Sequence, residues 1–261
     1  MNIQGCTFLL TGSNRGIGHA IASRLAAEPV RLLAGVRDLD RYRPPEPQGR
    51  VRAEVRPVRI DLSSRAAVDA SCDELRDELG RIDVLVNNAG AFAGGTLDEV
   101  EIDAIYETVQ VNLAGLMHLT RRVLPGMLER RHGKVVNQAS VISHLEFPGT
   151  SVYAATKAGV ATFTHCLRRE LHGTGVTTLE VITGGIDTEM LQGAARALAP
   201  YTDSSGWDWR DPAEWADRIV DAIGADKVRL EPGGRSRLGR LAAKAPRQVL
   251  DLVARRGFDR R

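Results

Sequence analysis

Six short runs, at residues 6–11, 30–36, 55–60, 82–87, 134–138 and 177–182, are nearly continuous in apolar side chains and do not alternate between inward and outward residues. A strand that is apolar on both faces must be covered on both, as buried parallel strands are. Stretches with helical periodicity separate these runs, at 16–27, 65–79, 104–131, 152–172 and 212–223. Parallel neighbours need a crossover, which a helix supplies. The alternation predicts an α/β chain: a doubly wound parallel sheet of about seven strands, the last near 227–230, with helices on both faces. Arg43-Pro44-Pro45-Glu46-Pro47 is too short a break to divide domains. Residues 1–232 therefore read as one domain, and 233–261 as a C-terminal helical extension.

Charge separates the same two parts. The net charge of +2 argues against a nucleic-acid binder, but it is unevenly spread. Residues 227–261 carry 11 basic and 3 acidic side chains, a local +8, which leaves −6 on residues 1–226. Leu238, Leu241, Ala245, Val249, Leu252 and Val253 approach a helical stripe in this basic tail, divided by Pro246. Packing over the cleft or against a partner, a membrane-surface anchor, and a solvated tail all fit that pattern. Cys6, Cys72 and Cys166 are far apart, form no CxxC pair, and suggest neither disulfides nor a metal site. With no signal-peptide features at Met1-Asn2-Ile3-Gln4-Gly5 and no apolar span, the expected compartment is the cytoplasm.

The first apolar run ends in Thr11-Gly12-Ser13-Asn14-Arg15-Gly16-Ile17-Gly18, followed by an alanine-rich helix. Glycines let a backbone turn sharply and approach a pyrophosphate, which then sits at the positive end of the helix dipole. The spacing is GxxxGxG, and a tight structural turn is the alternative. At the end of the second run an acidic residue would favour NAD(H) by binding ribose hydroxyls. Here stands Arg37, with Arg15 inside the glycine turn. Two guanidiniums at one corner favour a 2′-phosphate, hence NADP(H), with NAD(H) possible. Either Arg could instead be a solvated charge, and Asp38 could pair with Arg37 or meet a ribose.

Tyr153 and Lys157 lie four apart on one helix face. An ammonium near a phenol favours the phenolate and lowers its pKa from about 10, making an acid/base. Ser140 follows a buried run, where an open α/β sheet places its ligands.

With these pieces, the chain resembles the short-chain dehydrogenase/reductase family. The resemblance rests on the glycine turn, Asp61-Leu62, Asn87-Asn88-Ala89-Gly90, Asn112, Ser140 and Tyr153-x-x-x-Lys157, in the family's order and spacing. It covers residues 11–157 and continues more weakly to about Met190. It implies a Rossmann-like fold and hydride transfer between a nicotinamide and a ketone, aldehyde or secondary alcohol. Tyr153 would exchange the proton and also contact the cofactor, Ser140 would hold the same oxygen, and Lys157 would tune Tyr153 and bind the nicotinamide ribose. Asn112 would support a water relay to Lys157. Gly12, Ser13, Asn14, Arg15, Gly16, Ile17 and Gly18 would cradle the pyrophosphate, with Arg37 beside them. Asp61 and Leu62 would meet the adenine; Asn88, Ala89 and Gly90 would line the cofactor; Gly184, Ile186 and Thr188 would close over its carboxamide.

Thr183 departs from the family's usual Pro before that Gly, which predicts a less rigid loop. The resemblance also places Val141, His144, Phe147 and Met190 on the substrate side, suggesting an apolar carbonyl compound. It further suggests a homodimer or homotetramer through helices 104–131 and 152–172. A cofactor-binding protein without activity is the rival reading, disfavoured because Asn112, Ser140, Tyr153 and Lys157 are all present.

Overall fold

β1 (Thr7–Thr11) enters the molecule with every residue buried, Phe8 and Leu10 facing one side and Leu9 the other. β2 (Arg31–Val36) and β4 (Val84–Asn87) flank it in parallel, with Leu9 opposite both Leu33 and Leu85. β5 (Gly133–Ser140), β6 (Val176–Thr183) and β7 (Arg229–Leu230) extend the sheet on one side, and β3 (Glu54–Arg59) closes the other. The order is β3-β2-β1-β4-β5-β6-β7, all parallel. The chain direction of progress reverses between β1 and β4, and the crevice at such a switch point opens at the carboxyl ends of the strands. This computed structural model describes residues 1–47, 49, 50, 52–234, 236 and 258. Most of the extension proposed for 233–261, including its apolar stripe, lies outside the described residues.

Two cores sandwich the sheet. Phe8, Leu10, Leu32, Val86, Val136 and Val181 pack against α1 (Gly16–Ala26) and α9 (Pro212–Gly224), whose Trp215 is 2% exposed. Leu9, Leu33, Leu85 and Val135 pack against α2 (Arg65–Glu74), α5 (Leu116–Arg130) and α7 (Ser151–Glu170). Truncating any of these large side chains to Ala would cost about 2–5 kcal/mol, the lost transfer energy plus the cavity. Seven parallel strands with helices on both faces match the architecture expected from the alternation.

Three readings of the sequence need correction. The run at 55–60 is not a doubly covered strand. β3 is an edge strand in which only Val58 is buried, and Pro57 is tolerated because an edge need not donate to a further neighbour. The helix predicted over 65–79 breaks at Leu75 into α2 and the single-turn α3 (Arg76–Leu79). The long helix over 104–131 is not uniform. α4 (Ile102–Val109) passes into a π-helical turn at Gln110–Gly115 before α5 resumes. A short α6 (Ile142–Leu145) follows β5, and α8 (Glu189–Leu198) lies in a stretch to which the periodicity above assigned no helix. Among the described residues no helix is long and apolar enough to cross a membrane.

Candidate functional site

The turn after β1 places Gly12 and Gly16 at positive φ (67° and 53°), where a side chain would be strained. Gly18 is required by space alone: a Cβ there would lie 2.0 Å from the Gly12 carbonyl oxygen. The buried stripe Ile21, Ala22 and Leu25 holds α1 against the sheet and aims its N-terminus at the crevice. Among the described residues no side chain caps that terminus, and its first turn has no acidic residue. Unsatisfied N–H groups and the positive end of the helix dipole thus face the opening, as an anion site requires. Ser13 differs: its hydroxyl donates to the Gly35 carbonyl at 3.1 Å and ties the turn to β2. Asn14 pins the loop after β2, donating to Arg41 O at 2.7 Å and accepting from Arg43 N–H at 2.6 Å.

The two arginines each have a carboxylate partner. Arg15 Nη1 lies 3.1 Å from Glu189 on α8, and Arg37 Nη1 lies 4.0 Å from Glu107 on α4. All four side chains are more than half exposed, so these pairs are weak and exchangeable. Asp38 pairs with neither Arg15 nor Arg37; it accepts from Asp40 N–H and lies 3.4 Å from Arg41 Nε. A cleft of about 360 Å³ opens beside Arg15, Gly16, His19, Tyr42, Arg43 and Glu189.

Beyond β4, Asn88 donates its amide to the carbonyls of Thr11 and Gly12, and the Thr11 hydroxyl accepts from Asn88 and Ala89 N–H. Asp61 accepts from Ser63 N–H, and the Leu62 carbonyl accepts from Gln110 Nε2 at 3.1 Å. Asn112 is fully buried in the π turn. Its Oδ1 accepts from Ala91 N–H at 2.7 Å, and its Nδ2 donates to Ala91 O and Thr156 Oγ1. The side chain is thereby committed to locking the loop after Gly90 onto α7. A π turn at a functional position is a common use of that rare geometry.

Ser140 ends β5, in the strand itself, and lies buried beside the start of α7. The apolar stripe of α7, with Val160, Ala161 and Leu167, brings Tyr153 and Lys157 to the same place. Lys157 is 5% exposed and donates to the Gln138 carbonyl at 2.8 Å. Its Nζ stands 5.7 Å from the centre of the Tyr153 ring, and the Phe92 ring packs tilted against the same ring with centroids 5.2 Å apart. Burial dominates both ionisations. It pushes the Tyr153 phenol up to about 12, opposed only by the Ser140 hydrogen bond, and pulls the Lys157 ammonium down to about 8. The lowering of the Tyr153 pKa expected from Lys157 is not seen in the chain alone, where desolvation sets the direction and the Ser140 hydrogen bond opposes it.

The loop expected to be loosened by Thr183 is instead tied. Thr183 is the last residue of β6, paired with Ser140, and its hydroxyl donates to Gln138 Oε1 at 2.8 Å. Beyond it, Gly184, Gly185 and Ile186 run past residues 208–210: Arg210 N–H donates to Gly185 O and Asp187 N–H to Arg210 O. A Cβ on Gly184 would meet the Ser236 hydroxyl at 2.4 Å. Thr188 caps α8 by accepting from Leu191 N–H. Gly16 lies against Thr188, and Gly90 beneath Met190, so α8 leans over the glycine turn and the loop after β4. Val141 is buried at the head of α6, while His144 and Phe147 are half-buried on the strap leading to α7. Phe258, one of the few described residues of the extension, stacks on Tyr201 with ring centroids 5.2 Å apart.

Sequence reading missed Gln138, Thr156, Phe92 and Glu189. Gln138 had a signal, as a long amide at the end of an apolar run; Glu189 had another, as an acid directly after the N-cap Thr188. Phe92 gave none.

Residues 7–198 match the family model for short chain dehydrogenases. The 3-oxoacyl-(acyl-carrier-protein) reductase FabG of Escherichia coli is 30% identical, over 73% of this chain and 77% of that protein. The ketoacyl reductase HetN of Nostoc is 34% identical over 85% of this chain and 76% of its own length. A short chain dehydrogenase from Burkholderia cenocepacia, solved in complex with NADP, superposes with a TM-score of 0.78 at 25% identity, covering 97% of this chain and 99% of that one. The glycine turn, the Ser140–Tyr153–Lys157 cluster and these likenesses lead to one statement: the chain belongs to the short-chain dehydrogenase family and is an oxidoreductase.

Proposed function

We propose that this protein is an NADP(H)-dependent reductase of a ketone or aldehyde, with Tyr153 as the proton donor. The observation that carries the reading is the meeting of Ser140, Tyr153 and Lys157 at the carboxyl end of β5, in the same crevice as the uncapped N-terminus of α1. The glycine cradle fits a dinucleotide: side chains at Gly12, Gly16 and Gly18 are excluded by φ or by space, leaving backbone to face a pyrophosphate. Gly12, Ser13, Asn14, Gly16, Ile17 and Gly18 hold that end; Asp61 and Leu62 serve the adenine; Asn88, Ala89, Gly90, Gly184, Ile186 and Thr188 line the rest. Arg15 and Arg37 exchange their exposed carboxylate partners for the 2′-phosphate. The NADP and NADPH complexes of similar folds support this choice.

Bound NADPH supplies the hydride. Ser140 donates to the substrate oxygen and fixes it beside Tyr153. Tyr153, protonated at neutral pH because its phenol sits at about 12, gives its proton to that oxygen. Lys157, still mainly an ammonium at neutral pH, offsets the phenolate left behind and reaches the ribose. Asn112 positions: it keeps Ala91 and Thr156 in place, and its backbone in the π turn leads the water relay. A phenol kept protonated favours reduction over alcohol oxidation, the direction named for the ketoacyl reductase relatives. Val141, Phe147 and Met190 give the substrate side an apolar wall, with His144 at its rim.

Residues 1–232 act as one cofactor-binding and catalytic domain in this reading. Ile102, Tyr106 and Val109 form an exposed stripe on α4, 65%, 73% and 41% exposed, which supports a homodimer or homotetramer. The test is NADPH consumption with a panel of ketones and aldehydes. Turnover that requires Tyr153 and prefers NADPH to NADH is expected; nucleotide binding with no turnover of any carbonyl overturns the reading.

A further inference from the structure

A single file of side-chain hydrogen bonds crosses the carboxyl ends of four adjacent strands. The Trp215 indole N–H on α9 donates to the Thr183 hydroxyl at 3.2 Å, and that hydroxyl donates to Gln138 Oε1 at 2.8 Å. Gln138 Nε2 donates to Asn88 Oδ1 at 3.4 Å, and Asn88 Nδ2 donates to the carbonyls of Thr11 and Gly12. Thr183, Gln138 and Asn88 each accept on one side and donate on the other in the same sense, the arrangement in which hydrogen bonds polarise and strengthen one another. Gln138 and Trp215 are buried, at 5% and 2% exposure, so each lost partner is costly to replace with water. The file joins the loop after β4, which carries Ala89 and Gly90, to the loop after β6, which carries Gly184, Ile186 and Thr188.

We infer that Thr183 and Gln138 are positioning residues, a bolt that fixes the spacing of these two loops and so shapes the nicotinamide end of the groove. The inference rests on the proposed function for the identity of the groove's occupant. No Pro is needed to stiffen the start of the β6 loop, because the Thr183 hydroxyl is held from both sides. The adenosine end is untouched by this file apart from its terminal contact at Gly12. Loss of the bolt therefore weakens binding of a whole dinucleotide, and spares a ligand that occupies only the adenosine end.

The experiment measures binding of NADPH and of 2′,5′-ADP to the full chain, by nucleotide fluorescence and calorimetry, with the thermal midpoint recorded for every variant. Thr183→Val keeps the shape and removes both hydrogen bonds; it should weaken NADPH roughly tenfold, as expected for about two lost bonds, with 2′,5′-ADP within about twofold. Thr183→Ser, which keeps the hydroxyl, should restore NADPH binding. Gln138→Met cuts the file at its centre and should reproduce the loss; it carries the test if Thr183→Val does not fold. In the double variant the losses should not add, since either change opens the same file. Unchanged NADPH binding in Thr183→Val or Gln138→Met overturns the bolt, as does parallel loss of both ligands with a lowered midpoint. If the wild-type chain binds neither NADPH nor 2′,5′-ADP, the proposed function falls, and the bolt with it.

Discussion

Replacing Lys157 with Met should make the protein more stable near neutral pH while removing its reductase activity. The ammonium is 5% exposed, donates to a single described acceptor, the Gln138 carbonyl, and is held at a pKa of about 8 against an ordinary 10.5. At about 1.4 kcal/mol per pH unit, keeping that charge buried costs about 3 kcal/mol. Met fills similar space without a charge, but leaves the Gln138 carbonyl short of a donor, which returns about 1 kcal/mol. The net expectation is a gain of about 2 kcal/mol for Lys157→Met near pH 7. The pH dependence follows from the direction of the shift. The unfolded chain keeps the lysine proton up to about 10.5, whereas the folded one sheds it above about 8. Wild-type stability therefore rises with pH between these values relative to the variant, because the unfolded state binds more protons there. The full penalty stands below about 8 and is gone above about 10.5, so the gap between the two proteins narrows across that window. Tyr153, common to both proteins, largely cancels in the difference. Urea unfolding at about pH 7 and about pH 10, with identical slopes for both proteins, would read this directly. A Lys157→Met protein that is less stable than wild type at neutral pH, with a pH-independent difference, would refute the assignment of a buried, destabilising charge.

Other outcomes follow from the same geometry. Tyr153→Phe should lower kcat by about 10²–10⁴, the worth of a positioned general acid, with NADPH affinity nearly unchanged; retention of full kcat would remove Tyr153 from the reaction. The reductive kcat/KM of the wild type should fall as pH rises through about 8, where free-enzyme Lys157 loses its proton, and a profile flat to about pH 10 would contradict this. Arg15→Ser should raise the NADPH KM by about 10- to 100-fold, the loss of a charge-assisted bond, and leave the NADH KM unaltered; equal effects on both would deny Arg15 a role at the 2′-phosphate. Asn112→Ala should cost about 2–4 kcal/mol in urea, since Ala91 and Thr156 lose buried partners together; a change under about 0.5 kcal/mol would show the lock to be dispensable.

The sheet was legible in the sequence because both of its faces are buried over most of its width. Leu9 and Leu10 both had to be apolar, and continuous runs followed. That logic fails at the rim, where β3 pairs on one side only and Arg56, Pro57 and Arg59 stand exposed. α8 was legible but went unread: Met190, Leu191, Ala194 and Leu198 are spaced for one helical face behind the capping Thr188, although only Ala194 and Leu198 are buried. Tyr153, Lys157 and Ser140 were legible as a cluster, since helical spacing and strand ends are local properties. The ionisation of Tyr153 was not. It depends on how thoroughly Phe92 and the strap around α6 exclude water, which is a sum over residues distant in sequence. The tie between Thr183, Gln138 and Trp215 was hidden for the same reason: 45 and 32 residues separate Thr183 from its two partners.

The π turn at Gln110–Gly115 has a consequence for the rod that contains it. An α-helix advances by about 100° per residue, so a uniformly wound rod from Ile102 to Arg130 would fix the heading of its second half from that of its first. The wider turn inserts a phase offset. It allows Asn112 to face Ala91 and Thr156 while Leu119, Val123 and Met127 face Leu85 and Val135. Winding the same residues as a uniform α-helix would rotate α5 by about 100° relative to α4, carrying its apolar stripe away from the sheet. One extra residue thus reconciles two headings, one set by the crevice and one by the core, on a single continuous helix.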